Sequence, residues 1–244
     1  MKKNNLEFYD LYAERWWNPK EKIYTLNHIN KPRFEFFDRY VSNWQGLKVL
    51  DVGCGGGFSC EFMAARGVLV SGIDQSAKCI QAAQKHAESN GFKIDYRQAV
   101  AEKIPYGNAT FDAVLCVDVL EHVENVEQVI LEVYRVLKPN GLFLFDTINR
   151  TFKSKLVMIL LLENILRQID RGVHDWNKFI KPEELTQWLD AAGFKNIDIK
   201  GFDIFGDGLK LKLFNYINYW KTGALPVKIN DDTSINYIGK AVKN

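Results

Sequence analysis

The sequence predicts an α/β fold in which a mostly parallel sheet carries helices on both faces. Short apolar runs, typical of strands that are buried on both sides, alternate along the chain with amphipathic helical stretches. A loop with four glycines joins the first of these strands to the first helix. In sheets of this kind ligands bind at the carboxyl ends of the strands, near the point where the strand order reverses.

The predicted elements follow one another regularly. Strands are predicted in turn at LKVLDVG, VLVSGID, IDYRQAV, FDAVLCVDVL, LFLFDTI, KNIDIKGF and, near the end, TSINYIGKAVK. The first three helices are predicted at FSCEFMAARG, SAKCIQAAQKHAESNG and VEQVILEVYRVLKPNG, with Ser76 as N-cap and Gly91 as the stop of the second. A fourth helix, PEELTQWLDAAGF, has Pro182 in its first turn.

The chain divides into an aromatic N-terminal part and the sheet domain. Residues 1–45 predict two helical stretches with an irregular joint around Asn18 and Pro19, which we interpret as a lid or packing layer. The domain at 46–244 carries an insertion at 149–180, after the fifth strand, and an irregular segment at 203–231.

The composition is that of an ordinary soluble protein, with 47% apolar and 25% charged residues. A net charge of +2 without a dense Lys/Arg stripe gives no reason to expect a nucleic-acid partner. None of the four cysteines forms a C-x-x-C pair, so reduced thiols in the cytoplasm are expected rather than a zinc or redox site. No apolar run reaches the roughly 18 residues of a membrane span.

The glycine-rich loop, DVGCGGGFS at 51–59, predicts a nucleoside-binding site. Glycine lets the backbone turn sharply and approach a ligand closely. Asp74 ends the second strand, where an acid can accept hydrogen bonds from both hydroxyls of a ribose. The spacing differs from the dinucleotide pattern G-x-G-x-x-G, because Phe58 stands where the third glycine would be.

These features together resemble the class I S-adenosylmethionine-dependent methyltransferases. The resemblance rests on Asp-x-Gly-x-Gly-x-Gly after the first strand, an acid at the end of the second, and KPNG before the fifth. It implies a Rossmann-like sheet of seven strands with the last antiparallel. It also implies that Asp51, Gly53 and Gly55 surround the methionine part of S-adenosyl-L-methionine and that Asp74 holds its ribose.

A narrower resemblance adds a substrate class. The stretches RWWN, LNHINKPRFEF, VDVLEHV, TINRTFKS, RGVHDWNKFIKPEEL and TSINYIGKAVK are together similar to the ubiquinone-biosynthesis O-methyltransferases, the 3-demethylubiquinol 3-O-methyltransferase family. This implies methylation of a phenolic or catechol hydroxyl on a polyprenylated ring. The family's cofactor contacts also fall on Val117 and on Arg33, which follows Pro32 at a predicted helix start and would pair with the cofactor's carboxylate. The stretch 203–231 departs from the family, so a soluble aromatic or secondary-metabolite acceptor stays as the alternative.

Three interpretations of CVDVLEHVEN remain open. Asp118, Glu121 and His122 could hold Mg²⁺, which the family resemblance supports, although aspartate stands where the family usually has glutamate. His122 could instead act as an acid or base, or orient the acceptor, without a metal. Thirdly, Glu121 and His122 could simply cap a loop.

The reaction itself requires help with a proton. The acceptor oxygen must be deprotonated and aligned behind the sulfonium methyl, and a phenol has a pKa of about 10, like tyrosine. A metal or a neutral histidine could assist. His174, next to Asp175 in a pair that resembles an oriented imidazole, is the second candidate base.

The segment 153–171, KSKLVMILLLENILRQIDR, has lysines before an aliphatic run and arginines after it. This is typical of an interfacial helix on an anionic lipid surface, and Ile159 and Leu162 are the residues we expect against lipid. A helix packed on the sheet or over the site is the alternative. A polyprenyl acceptor would reside in a membrane and so favours the interfacial interpretation. We therefore expect a cytoplasmic protein that is peripheral on the inner face of a membrane.

A non-catalytic protein that only binds the cofactor is the alternative function from another class. The intact Gly53, Gly55 and Asp74 argue against it.

Overall fold

One sheet organises the part of the chain that the computed structural model describes, residues 4–204 and 227–244. Its eight strands stand in the order β3-β2-β1-β4-β5-β8-β6-β7. They are β1 Lys48–Val52, β2 Leu69–Asp74, β3 Asp95–Gln98, β4 Phe111–Val117, β5 Leu137–Ile148, β6 Phe194–Asp203, β7 Lys228–Asn230 and β8 Asn236–Lys243. β1 to β5 pair in parallel, whereas β8 lies antiparallel between β5 and β6.

The prediction of seven strands was wrong by one. The additional strand, β7, is a three-residue edge strand that pairs antiparallel with the end of β6. Its sequence, KIN, is too short for an alternation to be recognised. The predicted last strand is β8, and it is antiparallel to β5 as expected. Most of the segment 203–231, which departs from the family, lies outside the described residues.

The α-helices of the described residues are α1 Glu7–Tyr12, α2 Thr25–Phe37, α3 Phe58–Ala64, α4 Ala77–Ser89, α5 Val126–Val136, α6 Phe152–Ser154 and α7 Pro182–Ala192. The predicted caps of α4 are present, because Ser76 accepts a hydrogen bond from the backbone of Cys79 and Gly91 follows the end of the helix at a φ of +74°. α6 continues directly into a π-helix, Lys155–Ile165, inside the predicted insertion.

The helix α5 ends earlier than predicted. It stops at Val136 rather than at Pro-x-Gly, and β5 begins at Leu137, which pairs with Phe111. Proline disfavours the helical conformation for the residue before it, so Lys138 cannot continue the helix ahead of Pro139. The strand therefore includes the KPNG sequence.

The sheet separates two hydrophobic clusters. Neighbouring strand residues such as Val49 and Leu50 belong to different clusters, as the alternation of side chains along a strand requires. One cluster includes three fully buried phenylalanines of α2, and the other includes the buried faces of α5 and α7. A third, smaller cluster packs Phe8, Ala13 and Trp16 against Phe58 and Val173, so the N-terminal segment lies on the sheet domain.

The structure adds two facts to the sequence-based expectations on location. No helix of the described residues is both long and apolar enough to cross a membrane. All four cysteines are buried free thiols.

Candidate active site

A cavity of about 1040 Å³ lies at the carboxyl ends of the central strands. Residues that follow β1, β2, β3 and β4 line it, together with the N-terminal segment and the insertion. β1 stands between β2 and β4, so the cavity sits where the strand order reverses. All ten residues singled out from the sequence line this cavity: Arg33, Asp51, Gly53, Gly55, Asp74, Val117, Asp118, Glu121, His122 and His174.

The glycine loop has a backbone that only glycine adopts easily. Gly53 and Gly55 have φ values of +74° and +51°. A Cβ at Gly53 would overlap the side chain of Val119, and one at Gly55 would overlap the ring of Trp16. The loop therefore presents bare backbone to the cavity.

Asp74 is held in place by backbone donors at the end of β2. Its Oδ2 accepts from the amide of Gly55 at 2.9 Å, and its Oδ1 accepts from the amide of Ser76 at 2.8 Å. Burial raises the pKa of Asp74, and these two N–H groups oppose that rise. Since each carboxylate oxygen has two lone pairs, one on each oxygen stays available for the hydroxyls of a ribose.

Asp51, the last acid of β1, has a buried acceptor atom with no hydrogen-bond partner in the described structure. Its Oδ2 accepts from the thiol of Cys60 at 3.3 Å, whereas its Oδ1 has no partner. Burial raises the pKa of Asp51 to about 7. A cationic or amine donor in the cavity would satisfy this oxygen. The methionine amino group of S-adenosylmethionine has this chemistry, so the site fits the cofactor that the family resemblance implies.

Arg33 occupies a different place from the predicted helix start. It lies inside α2, which begins at Thr25 and contains Pro32. The guanidinium is fully buried and donates through Nε to Asp146 at 2.5 Å, through Nη2 to Asp118 at 2.6 Å and through Nη1 to Asn30 at 3.1 Å. Although burial opposes the charge, Asp146 and Asp118 raise the pKa of Arg33 above its ordinary value.

Asp118 marks the end of β4 because its backbone is left-handed, with a φ of +55°. Such a conformation is uncommon for a residue other than glycine and is kept only where its surroundings fix it. Here its amide donates to Asp146 at 2.9 Å while its carboxylate accepts from Arg33. Arg33 and Asp146 together therefore shape the turn into DVLEHV.

The predicted metal triad is not assembled. Asp118 pairs with Arg33, and Glu121 is buried and accepts from the hydroxyl of Thr147 at 2.7 Å. Burial and the charge of Asp118 raise the pKa of Glu121 to about 8, so the carboxyl is mostly neutral at pH 7. No group of three His, Cys, Asp or Glu in the described residues could hold a metal ion. The side chains as placed do not fit Mg²⁺, because Asp118 is already paired with Arg33 and the carboxylate of Glu121 is bound to Thr147.

His122 is a buried, neutral imidazole. Burial, His174 and Lys178 lower its pKa well below the ordinary value. Its Nδ1 is 3.0 Å from Oδ1 of Asn4, and its Nε2 is 3.4 Å from the hydroxyl of Tyr9. An amide oxygen only accepts, so Nδ1 carries the proton and Nε2 is the acceptor.

His174 is paired with Glu163, whereas the sequence suggested Asp175. The Nδ1 of His174 is 2.7 Å from Oε1 of Glu163. Asp175 instead caps the 3₁₀ turn Trp176–Lys178 through the amide of Asn177. The two residues are adjacent in the sequence, but the loop directs His174 to Glu163 and Asp175 to the amide of Asn177, so they do not pair with each other.

Several lining residues escaped the sequence analysis. Residues 98–102, after β3, line the cavity and could have been found from the rule that ligands bind at carboxyl ends of strands. Tyr9 and Trp16 also line it and belong to the aromatic N-terminal segment that the sequence predicted as a lid or packing layer. Glu163 does not line the cavity but pairs with His174, and no local pattern marks it.

Comparison with known proteins identifies the family. A family model described as a methyltransferase domain matches residues 50–145. A ubiquinone biosynthesis O-methyltransferase of Actinobacillus pleuropneumoniae serotype 5b (strain L20) is 35% identical over 240 residues, which cover 96% of this chain and 95% of that protein. Another, of Pseudomonas putida (strain W619), is 42% identical over 197 residues, covering 79% and 83%. The chain belongs to the ubiquinone biosynthesis O-methyltransferase family.

The family prediction is thereby confirmed, and the chain is an S-adenosylmethionine-dependent methyltransferase. A solved structure from Thermotoga maritima, described as an S-adenosylmethionine-dependent methyltransferase and possible histamine N-methyltransferase, has a TM-score of 0.65. It is 16% identical and covers 98% of this chain and 99% of its own, which supports the fold alone.

Cofactor binding by this methyltransferase should depend on Asp74. If Asp74 holds the ribose, Asp74→Ala removes both of its acceptors, so we expect S-adenosylmethionine affinity to fall by about 1.5–3 kcal/mol, as for lost hydrogen bonds to a charged group. Isothermal calorimetry on the folded variant measures this. Asp112→Ala is the control, because Asp112 pairs with Lys138 outside the cavity. Equal affinities in both variants would remove Asp74 from the cofactor site.

Proposed function

We propose that this methyltransferase transfers a methyl group from S-adenosylmethionine to a phenolic or catechol hydroxyl of a polyprenylated ring, with a histidine as the base. The supporting observation is a pair of imidazoles, His122 and His174, in the same cavity as the glycine loop. A phenol with a pKa of about 10 needs such an acceptor for its proton at neutral pH. The name of these relatives, ubiquinone biosynthesis O-methyltransferase, agrees with a ubiquinone precursor as the substrate.

The cofactor would be held by residues from three strands and from α2. Gly53 and Gly55 would let it approach the backbone, Asp74 would hold the ribose, and Val117, buried at the end of β4, would pack against it. Of the five N–H donors of Arg33, three are already used, which leaves two for the carboxylate of the methionine part. When bound, the cofactor supplies an activated methyl on a sulfonium.

Part of the cavity lining is apolar. It includes Ile29, Ile148, Met158, Leu162 and Ile204. Such a surface suits a hydrophobic chain attached to the ring, because burying it removes apolar area from water. This favours a prenylated acceptor over a small soluble aromatic one.

We also propose that the N-terminal residues 1–45 act as a lid. Phe8, Tyr9 and Trp16 line the cavity from one side. Trp17 donates to the carbonyl of Gly56 at 2.8 Å and stacks on His86 at 3.7 Å between ring centroids, so the segment is fastened to the glycine loop. Closing this segment over the cofactor would keep water from the reacting sulfonium.

The deciding experiment is methyl transfer from labelled S-adenosylmethionine to catechols with and without a prenyl chain. We expect turnover with both and a higher kcat/KM for the prenylated acceptor. Turnover confined to short soluble aromatics would favour the alternative acceptor class. Cofactor binding without transfer to any acceptor would mean a non-catalytic role.

The inserted helix suggests contact with an anionic lipid surface. Phe152, Leu156, Leu160 and Ile165 are 72%, 41%, 49% and 62% exposed and lie four, four and five residues apart. In a helix with i→i+5 hydrogen bonds this spacing places them on one side. Leu162, which the sequence suggested for lipid contact, is instead buried and lines the cavity.

We therefore expect the chain to float with anionic vesicles more than with neutral ones, and less at high salt. Leu160→Glu with Ile165→Glu should weaken flotation at least about tenfold, since each leucine-sized side chain contributes roughly 1.5–3 kcal/mol when buried. Leu131→Glu is the matched control, because Leu131 is 52% exposed on α5. If the double variant floats as well as the native protein, the exposed apolar side of this helix is not the surface that contacts lipid.

A further inference from the structure

Glu163 is a buried carboxylate that faces inward from the π-helix. It is 2% exposed, and it accepts three hydrogen bonds. Its Oε2 accepts from the amide of Gly172 at 3.0 Å, and its Oε1 accepts from the amide of His174 at 3.0 Å and pairs with the ring Nδ1 of His174 at 2.7 Å. These bonds fix the carboxylate and the start of the loop that carries His174.

The contact with Glu163 determines which nitrogen of His174 can take a proton. A carboxylate accepts hydrogen bonds and has none to give, so Nδ1 is the protonated nitrogen. The lone pair of a neutral His174 is then on Nε2, at the far side of the ring. An imidazole oriented in this way by a carboxylate is the arrangement of a general base.

His174 lines the same cavity as the glycine loop. Its ring is stacked on that of His122 with centroids 5.3 Å apart, and both rings line the cavity with Asp118 and Met158. We infer that Glu163 is a positioning residue for the methyl transfer, holding His174 as the base that takes the proton of the acceptor hydroxyl. This inference rests on the proposed function.

The proton and electron balance is simple. The acceptor O–H proton moves to Nε2 of His174, and the resulting phenolate oxygen forms a bond to the methyl carbon. The S–CH₃ bond breaks with its electron pair going to sulfur, so the sulfonium becomes a neutral thioether. Glu163 stabilises the imidazolium by charge until that proton is lost to solvent.

Other charged or titratable groups surround the two rings. They are Tyr9 from α1, Glu121 before His122, and Lys178, whose ammonium is held by the carbonyl of Val123 and by Glu124. Lys178 and the low pKa of His122 disfavour a second positive charge on His122. The carboxylate of Glu163 lies against the ring of His174, so we assign the proton transfer to that ring.

The test compares Glu163→Gln with the native enzyme on a prenylated catechol. Glutamine keeps the shape and its oxygen can still accept from the backbone N–H and from Nδ1 of His174, but it carries no negative charge to stabilise the imidazolium. We expect kcat to fall on the order of 100-fold or more at pH 7, while KM and cofactor affinity change little. The defect should shrink as pH approaches about 10, where the phenol ionises by itself. It should also shrink with an electron-poor catechol, which is ionised near neutral pH.

Glu61→Gln is the matched control. Glu61 is also buried and pairs with a histidine, His86, at 2.7 Å, but neither residue lines the cavity. The inference is overturned if Glu163→Gln loses no more kcat than Glu61→Gln, or if its defect is the same at every pH and with both acceptors. If circular dichroism shows that Glu163→Gln folds poorly, His174→Asn replaces it in the test. Full turnover by His174→Asn would likewise overturn the inference. Absence of turnover by the native enzyme would instead contradict the proposed function.

Discussion

Replacing Arg33 by methionine should lower the free energy of unfolding by about 3–5 kcal/mol, the range for breaking a buried ion pair from one side. The guanidinium is 2% exposed between Asp146, which is equally buried, and Asp118. Removing it leaves the carboxylate of Asp146 in the core with no cation, and Asp118 loses the partner that fixes its left-handed backbone. Both effects oppose folding.

Urea unfolding of the cofactor-free protein measures this change. Arg66→Met is the matched control, because Arg66 donates twice to Asp38 at 2.6 and 2.9 Å, but the two side chains are 33% and 35% exposed, so solvent screens this pair and it contributes less than a fully buried one. Adding Asp146→Asn to Arg33→Met should restore part of the loss, since the unpaired charge is then gone. Equal losses in Arg33→Met and Arg66→Met would mean that the buried pair does not stabilise the fold.

The strands and most helices could be predicted because their signals are local. Strands β1, β2 and β4 are continuous apolar runs, and α4 and α7 have their caps in the sequence. Strand β7 and the start of α2 could not be predicted. The first has only three residues, and in the second the buried packing of Phe34 and Phe36 overrides the usual preference of Pro32 for a helix start.

The residues that line the site could be predicted, but the side chains with which they form hydrogen bonds and ion pairs could not. Residues at the carboxyl ends of parallel strands must meet, which placed Gly53, Asp74 and Val117 in one cavity. The interactions that set their chemistry are long-range, since Asp146 reaches Arg33 across 113 positions. Spacing along a chain says little about the direction of side chains in a turn. For that reason DVLEHV suggested a metal triad that the structure does not form.

The second large effect that we expect is on the pH dependence of the free energy of unfolding, and it comes from Glu121, the buried acid of the DVLEHV turn. Glu121 is 1% exposed, and burial and Asp118 raise its pKa to about 8, against about 4.3 in an unfolded chain. A raised carboxyl pKa means that the folded state keeps a proton that the unfolded state releases. Stability from this group is therefore fully present below about pH 4 and is lost as pH rises through about 8.

Glu121→Gln should abolish that loss, because glutamine keeps the shape and the hydrogen bond of Thr147 and does not ionise. At about 1.4 kcal/mol per pH unit, we expect the variant to gain about 3–5 kcal/mol over the native protein between pH 5 and pH 9. Urea unfolding at pH 5, 7 and 9 measures this, with the exposed Glu183→Gln as the control that should follow the native curve. Parallel curves for Glu121→Gln and the native protein would mean that Glu121 is already ionised in the folded state. The buried pocket would then have to stabilise a charge that its described neighbours, Thr147 and Asp118, do not balance.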